Sequence, residues 1–202
     1  MDLSAMNKIS YGLFVLAARD GEKDNGCIIN TVIQVTAAPN RIAFAVNKSN
    51  YTHDIIQKTK LFTVSVLDES ARFGTFQNFG FQSGRTAEKF AEIEFARGPN
   101  GIAYLTRECC AWISGRVSST VDLGTHTLFI ADVEDCALLS ENPPVTYAFY
   151  HANIKPKQPA PAGEKKKGFI CVICGYIYEG DVLPPDFICP VCKHPASDFK
   201  PL

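Results

Sequence analysis

The chain of 202 residues holds eight cysteines, and four of them form two pairs, Cys171-x-x-Cys174 and Cys189-x-x-Cys192. A Cys-x-x-Cys turn can place two thiolates on one ion, and two such turns complete a tetrahedron of sulfur. A tail as short as residues 169–202 cannot bury enough surface to fold unaided, so metal binding would supply its folding free energy. Two structural disulfides would use the same cysteines, but nothing in the chain points to export into an oxidising compartment, and the reading places the protein in the cytoplasm. Spacing alone leaves zinc and iron open, because tetrahedral sulfur suits both.

The other four cysteines, Cys27, Cys109, Cys110 and Cys136, are scattered. The vicinal Cys109-Cys110 invites a redox-dithiol reading. Adjacent residues of a strand point to opposite faces, however, so their sulfurs diverge and a disulfide would be strained. All four are expected to be structural thiols.

Three polar stretches could hold an anion or a polar ring. Gly26 to Pro39 is an apolar strand broken by Asn30, Thr31 and Gln34; by itself it would be an ordinary hairpin. Asn47-Lys48-Ser49-Asn50-Tyr51-Thr52 leads into a helix over 52–59, with Ser49 as the expected N-cap. A helix start exposes unpaired N–H groups, and Lys48 with two hydroxyls beside them suits a phosphate; the plainer reading is a simple cap. In Ser83-Gly84-Arg85-Thr86-Ala-Glu-Lys89-Phe90, Arg85 precedes an expected helix and Lys89 lies one turn into it, which otherwise reads as a solvated helix start.

The elements that must position these residues are mostly strands. Arg41 to Val46 and Phe62 to Val66 alternate apolar and small or polar residues, and further β-rich runs cover 11–19, 26–37, 109–121 and 125–138. Short helical patches are expected at 52–59, 70–78 and 86–93. Many strands with few helices indicate a closed or partly closed barrel. The apolar run Tyr11 to Ala18 follows an acidic start and ends in Arg19-Asp20, so it reads as a strand rather than a leader. No apolar run reaches eighteen residues, so no membrane-spanning helix is expected.

From Lys155 to Lys167 the chain is rich in Pro and Lys and has no large apolar residue, which marks a solvated linker. Charge divides at the same place: residues 1–154 carry 13 basic and 16 acidic groups, 155–168 carry 5 and 1, and 169–202 carry 2 and 4. The net charge of −1 argues against a nucleic-acid binder. The expected division is 1–152, a linker at 153–168 and a small unit at 169–202. No two glycines are two residues apart, so there is no G-x-G and no dinucleotide fingerprint.

The tail, with Cys171-Val-Ile-Cys174-Gly175-Tyr176-Ile-Tyr178 and Pro184-Pro185-Asp186-Phe187-Ile-Cys189-Pro190-Val-Cys192, closely resembles rubredoxin, in the compact form found in rubrerythrins. The resemblance implies one iron ion held by Cys171, Cys174, Cys189 and Cys192, with Tyr176, Phe187 and Phe199 in a small core; a zinc ribbon is the alternative. Lys193 stands where the second knuckle often has glycine. Residues 1–150 resemble the flavin reductase-like, FMN-binding split-barrel family, which implies a mostly β fold with short helices. By that likeness Asn30, Thr31 and Val32 lie along the isoalloxazine edge. Asn47, Lys48, Ser49, Thr52, Ser83, Gly84, Arg85 and Lys89 lie on the phosphate side, and His126, in Gly124-Thr125-His126-Thr127-Leu128-Phe129, lies near the ring. The family commonly has paired serines where this chain has Asn30-Thr31.

The combination resembles the high-molecular-weight rubredoxins. It implies an electron carrier and a homodimer. Its donor would be an NAD(P)H-dependent rubredoxin oxidoreductase, and its acceptor a flavodiiron-type reductase of nitric oxide or dioxygen. The alternative is an enzyme that takes hydride directly from NAD(P)H, because this family needs no dinucleotide fold to bind nicotinamide over the flavin. A zinc-ribbon interaction module on a flavin-binding scaffold is a third reading, disfavoured by the acidic tail.

Overall fold

The computed structural model describes residues 1–156, 168–172, 176–190 and 194–202. The elements run β1 (Phe14–Asp20), β2 (Lys23–Ile29), β3 (Ile33–Ala37), β4 (Asn40–Asn47), α1 (Tyr51–Thr59), β5 (Leu61–Leu67) and α2 (Phe73–Gly80). They continue as β6 (Phe95–Arg97), β7 (Ala103–Leu105), β8 (Cys109–Asp122), β9 (His126–Leu138) and α3 (Tyr147–Phe149), which passes into a π-helical turn at Tyr150–Ile154. The tail contributes β10 (Phe169–Cys171), β11 (Ile177–Tyr178) and β12 (Phe199–Pro201).

Seven strands form one antiparallel sheet in the order β2-β1-β5-β8-β9-β4-β3. Its two faces carry separate cores, because β1 buries apolar residues on both sides, while β5 buries Phe62 and Val64 on one side and Thr63 and Ser65 on the other. Inside the curl, Leu16, Cys27, Phe44, Val46, Phe62, Val64 and Phe129 pack with Ile55 and Ile56 of α1. On the outside, Val15, Ala17 and Leu67 pack with Phe76 and Phe79 of α2 and with Ala103 and Leu105 of β7. Shifts in register at Ser114/Gly115 and Val117/Ser119 bend the long β8–β9 pair. At the first of these only glycine fits, since a Cβ at Gly115 would lie 2.2 Å from the Asp132 carbonyl oxygen.

Three local expectations are corrected. Residues 86–93 form turns, not a helix; Phe90 is drawn into the outer core and Lys89 is buried, which pulls the backbone off a helical path. The run 26–37 is broken between β2 and β3 at 30–32. The N-cap of α1 is Asn50 rather than Ser49, and it makes no side-chain cap; Asn47 Oδ1 instead accepts from Ser49 N–H and Ser49 O–H at 2.9 Å each.

Candidate functional site

The β4–α1 turn is where most of the polar candidates meet. β4 pairs with β9 so that Asn47 faces His126, and Lys48 N–H donates to Thr125 O at 3.0 Å. This sets the turn against the hairpin at Gly124, whose left-handed φ of 81° suits glycine. Lys48 Nζ donates to Asp122 Oδ1 at 2.6 Å across the same gap, and His126 Nδ1 pairs with Thr125 Oγ1 at 2.9 Å. The 30–32 segment is tied alongside. Thr31 Oγ1 donates to Ala45 O at 3.0 Å and accepts from Ala45 N–H at 2.9 Å, while Val32 packs on the inner core.

The Ser83–Arg85 loop closes over the start of α1 from the other side. Arg85 donates to Asp54 Oδ2 at 2.5 Å and lies over the Tyr51 ring at 5.0 Å, while its own N–H bonds Ser83 Oγ at 3.3 Å. Beneath the loop, Asn25 is 1% exposed, and its Nδ2 donates to Thr52 Oγ1 at 2.8 Å. The backbone of Gly84 lies directly against this amide, since a Cβ there would fall 1.7 Å from Asn25 Oδ1. That Oδ1 is buried without a hydrogen-bond partner. Turning the amide over would keep the Thr52 contact, because a hydroxyl donates as well as accepts, and would direct the NH2 toward the loop.

A buried amide with one unpartnered atom and a helix start thus lie between two cations, Lys48 paired with Asp122 and Arg85 paired with Asp54, a set of groups that fits a phosphate. The structure therefore ties Asn47, Lys48, Ser49 and His126 to the β4–α1 turn, Thr31 to the adjoining β4, and Thr52, Ser83, Gly84 and Arg85 to the start of α1, with Asn30 and Val32 flanking Thr31 in the chain. It does not bring Lys89 to them. Lys89 is 3% exposed, and its ammonium donates to Gly26 O at 2.9 Å and Phe79 O at 3.0 Å. Burial lowers its pKa to about 8, against a weaker opposing effect of Cys27. Lys89 thus fastens the loop to β2 and α2 from below.

Asn25, Tyr51 and Asp54 join the site without having been expected from the sequence. Asn25 could have been found from its parity: it shares the inward face of β2 with Cys27 and Ile29, where a polar side chain needs a reason. The buried pair His53 Nε2 and Thr127 Oγ1, at 2.9 Å, was missed as well and pins α1 to β9.

The vicinal cysteines of the front domain point apart. Cys109 Sγ donates to Leu105 O at 2.9 Å, whereas Cys110 Sγ donates to Val66 O at 3.6 Å on a different strand, so the two sulfurs diverge. Desolvation raises the Cys109 thiol to about 12, with Asp68 adding to it, and raises Cys27 and Cys110 too.

The described part of the tail repeats one pairing pattern. Cys171 N–H donates to Tyr176 O, and Cys189 N–H to His194 O, both at 2.8 Å and both spanning five residues. Ile170 pairs with Ile177 as Ile188 pairs with Pro195, so the register repeats as well. Cys171 and Cys189 are buried with Phe199, and Phe187 packs edge-on to Tyr178 at 4.7 Å and to Phe199 at 5.4 Å. Neither cysteine is in a disulfide. Cys174 and Cys192 lie outside the described residues. Cys171 and Cys189 thus supply two of the four thiolates that a tetrahedral sulfur site takes.

A curled antiparallel sheet with a polar cluster at a helix start, joined to a tail with buried cysteines, is the architecture of a flavin-linked electron-transfer protein. Comparison with known proteins gives the family. Residues 6–156 match the flavin reductase like domain, and the chain belongs to that family. Residues 169–200 match the rubrerythrin, rubredoxin-like domain. A high molecular weight rubredoxin from Moorella thermoacetica is 36% identical over 227 aligned positions, covering 99% of each chain. A ferric-chelate reductase (NAD(P)H) from Archaeoglobus fulgidus is 37% identical over 80% of this chain and 96% of its own. The NADH:FAD oxidoreductase SgcE6 of Streptomyces globisporus shares the fold, with a TM-score of 0.65 at 17% identity over 70% of this chain and 84% of that one. The two domains imply a flavin and iron.

Proposed function

We propose that the protein is an electron carrier. The barrel would hold FMN, which supplies two-electron uptake, and Cys171, Cys174, Cys189 and Cys192 would hold a single iron, which supplies one-electron transfer toward a terminal reductase. The observation that carries this reading is the fusion, in one chain, of a flavin-family barrel to a rubredoxin-like tail. A flavin takes up two electrons and can release them singly, while iron among four thiolates carries one.

The chain's own residues divide the binding work. Lys48, Ser49, Thr52, Asn25 and the Ser83-Gly84-Arg85 loop would hold the phosphate; Asn30, Thr31, Val32 and His126 would line the ring; Asn47 sets the turn that presents Lys48 and Ser49. FMN rather than FAD rests on the resemblance to the FMN-binding split-barrel family. The donor is an NAD(P)H-dependent rubredoxin oxidoreductase, and the acceptor a flavodiiron-type reductase of nitric oxide or dioxygen. The working unit is a homodimer in the cytoplasm. Exposed Ile33 and Val35 on the edge strand β3, with Val121 and Leu123 at the β8–β9 turn, supply apolar surface for a second copy. No helix among the described residues is long and apolar enough to cross a membrane.

The second reading, direct reduction by NAD(P)H, draws on the ferric-chelate reductase relative. Adding NADH or NADPH without oxygen separates the two. Slow bleaching that becomes fast only with a partner oxidoreductase supports the carrier, and fast bleaching by nicotinamide alone replaces it with the enzyme.

A further inference from the structure

We propose that Phe81 is the anchor by which the cysteine tail seats on the barrel of its own chain, so that the flavin site and the iron site that work together belong to one polypeptide. This rests on the electron-carrier reading and deepens it by naming where the tail docks.

Phe81 is the residue just after α2, and its N–H donates to Gln77 O at 3.1 Å, which fixes the backbone. Its ring meets Phe73 at 5.9 Å. Phe81 also packs against the tail cluster of Cys171, Cys189 and Phe199; among the described residues, the other side chains packed on that cluster all come from the tail itself. Two residues beyond Phe81 the chain enters Ser83-Gly84-Arg85, the loop that closes over the start of α1. One short segment therefore touches the iron-site core at one end and the phosphate side of the flavin pocket at the other.

A single aromatic contact would be a weak seat between separate molecules. Here the segment from Lys155 to Lys167, most of it outside the described residues, joins the two units covalently, and short tethers give effective concentrations in the millimolar range. The seat is thus occupied and still able to release. It leaves an apolar face open: Val172 and Ile188, next in sequence to Cys171 and Cys189, remain 51% and 53% exposed. An external acceptor can meet that face while the tail stays seated.

The test uses the full chain with zinc in the tail, which removes redox and paramagnetic effects. Amide relaxation is measured by NMR for the wild type, Phe81→Ala and Phe81→Glu, with unchanged barrel resonances as the check on folding. The tail should tumble with the barrel in the wild type and at least twofold faster than it in Phe81→Glu, with Phe81→Ala between. Independent tumbling in the wild type, or no change in either variant, overturns the seat and leaves the carrier reading untouched. With iron and FMN bound, the iron should be reduced at least tenfold more slowly in Phe81→Glu. An unchanged rate there overturns the seat as the working contact. A tail that docks in a protein whose flavin never reduces its iron leaves the seat standing and sinks the carrier reading.

Discussion

Gly84→Ala is the sharpest test of the barrel site, because the structure gives the size of the perturbation. The added methyl would lie 1.7 Å from Asn25 Oδ1 and 2.5 Å from its Cγ, far inside contact distance. Asn25 cannot move aside cheaply, since it is buried and bonded to Thr52 at 2.8 Å. The loop must instead lift away from α1, carrying Ser83 and Arg85 with it. Overpacking of this kind costs about 1–3 kcal/mol. At about 1.4 kcal/mol per tenfold, FMN should bind ~5- to ~140-fold more weakly. The assay is quenching of flavin fluorescence on titration into apoprotein, with tail metal content measured in parallel and expected to stay constant. Asn25→Ala alone should also weaken FMN, by removing the amide and stranding Thr52. In the double variant the clash is gone, so the two losses should add to less than their sum. Wild-type affinity in Gly84→Ala, or strict additivity in the cycle, would refute the loop-on-amide account.

Cys189→Ser should abolish iron binding and redox while FMN still binds, as read by metal analysis and visible spectra; loss of FMN too would show that the barrel depends on the tail. Lys48→Ala should weaken FMN about tenfold and flatten the salt dependence of binding, which titrations at two ionic strengths will show. Lys89 titrates near 8 in the fold and near 10.5 when exposed, so the unfolded chain holds more protons between these values and stability rises with pH across that window. Urea unfolding of Lys89→Met from pH 8 to 10.5 should lack that part of the rise. At pH 8 a thiol reagent should modify exposed Cys136 first and leave buried Cys27, Cys109 and Cys110 until unfolding, as peptide mapping will report.

Much of this arrangement was legible in the residues for physical reasons. Ile42, Phe44 and Val46 alternate cleanly, and all three are buried in the inner core. The divergence of Cys109 and Cys110 followed from strand geometry alone. The helix expected at 86–93 failed because long-range bonds decide that segment: Lys89 reaches carbonyls of Gly26 and Phe79, and Asn78 Nδ2 donates to Lys89 O at 2.7 Å. Propensity cannot register partners so distant in sequence. Asn25 was missed for a related reason. Its importance lies in two contacts, Thr52 and Gly84, that only the folded barrel brings to it. The tail was legible in part: Cys171 and Cys189 hold matching places in a repeated pairing pattern, while Cys174 and Cys192 lie outside the described residues.

The central claim is that flavin and iron share one electron path, and an anaerobic reductive titration of the purified protein reads it most directly. Two electrons for the flavin and one for the iron predict about three electron equivalents per chain. The ferric-thiolate bands should bleach in step with the flavin. The Cys189→Ser variant should take up about two and show flavin changes alone. A wild-type protein that takes up only the flavin's two, or whose iron stays ferric beside fully reduced flavin, would contradict the account.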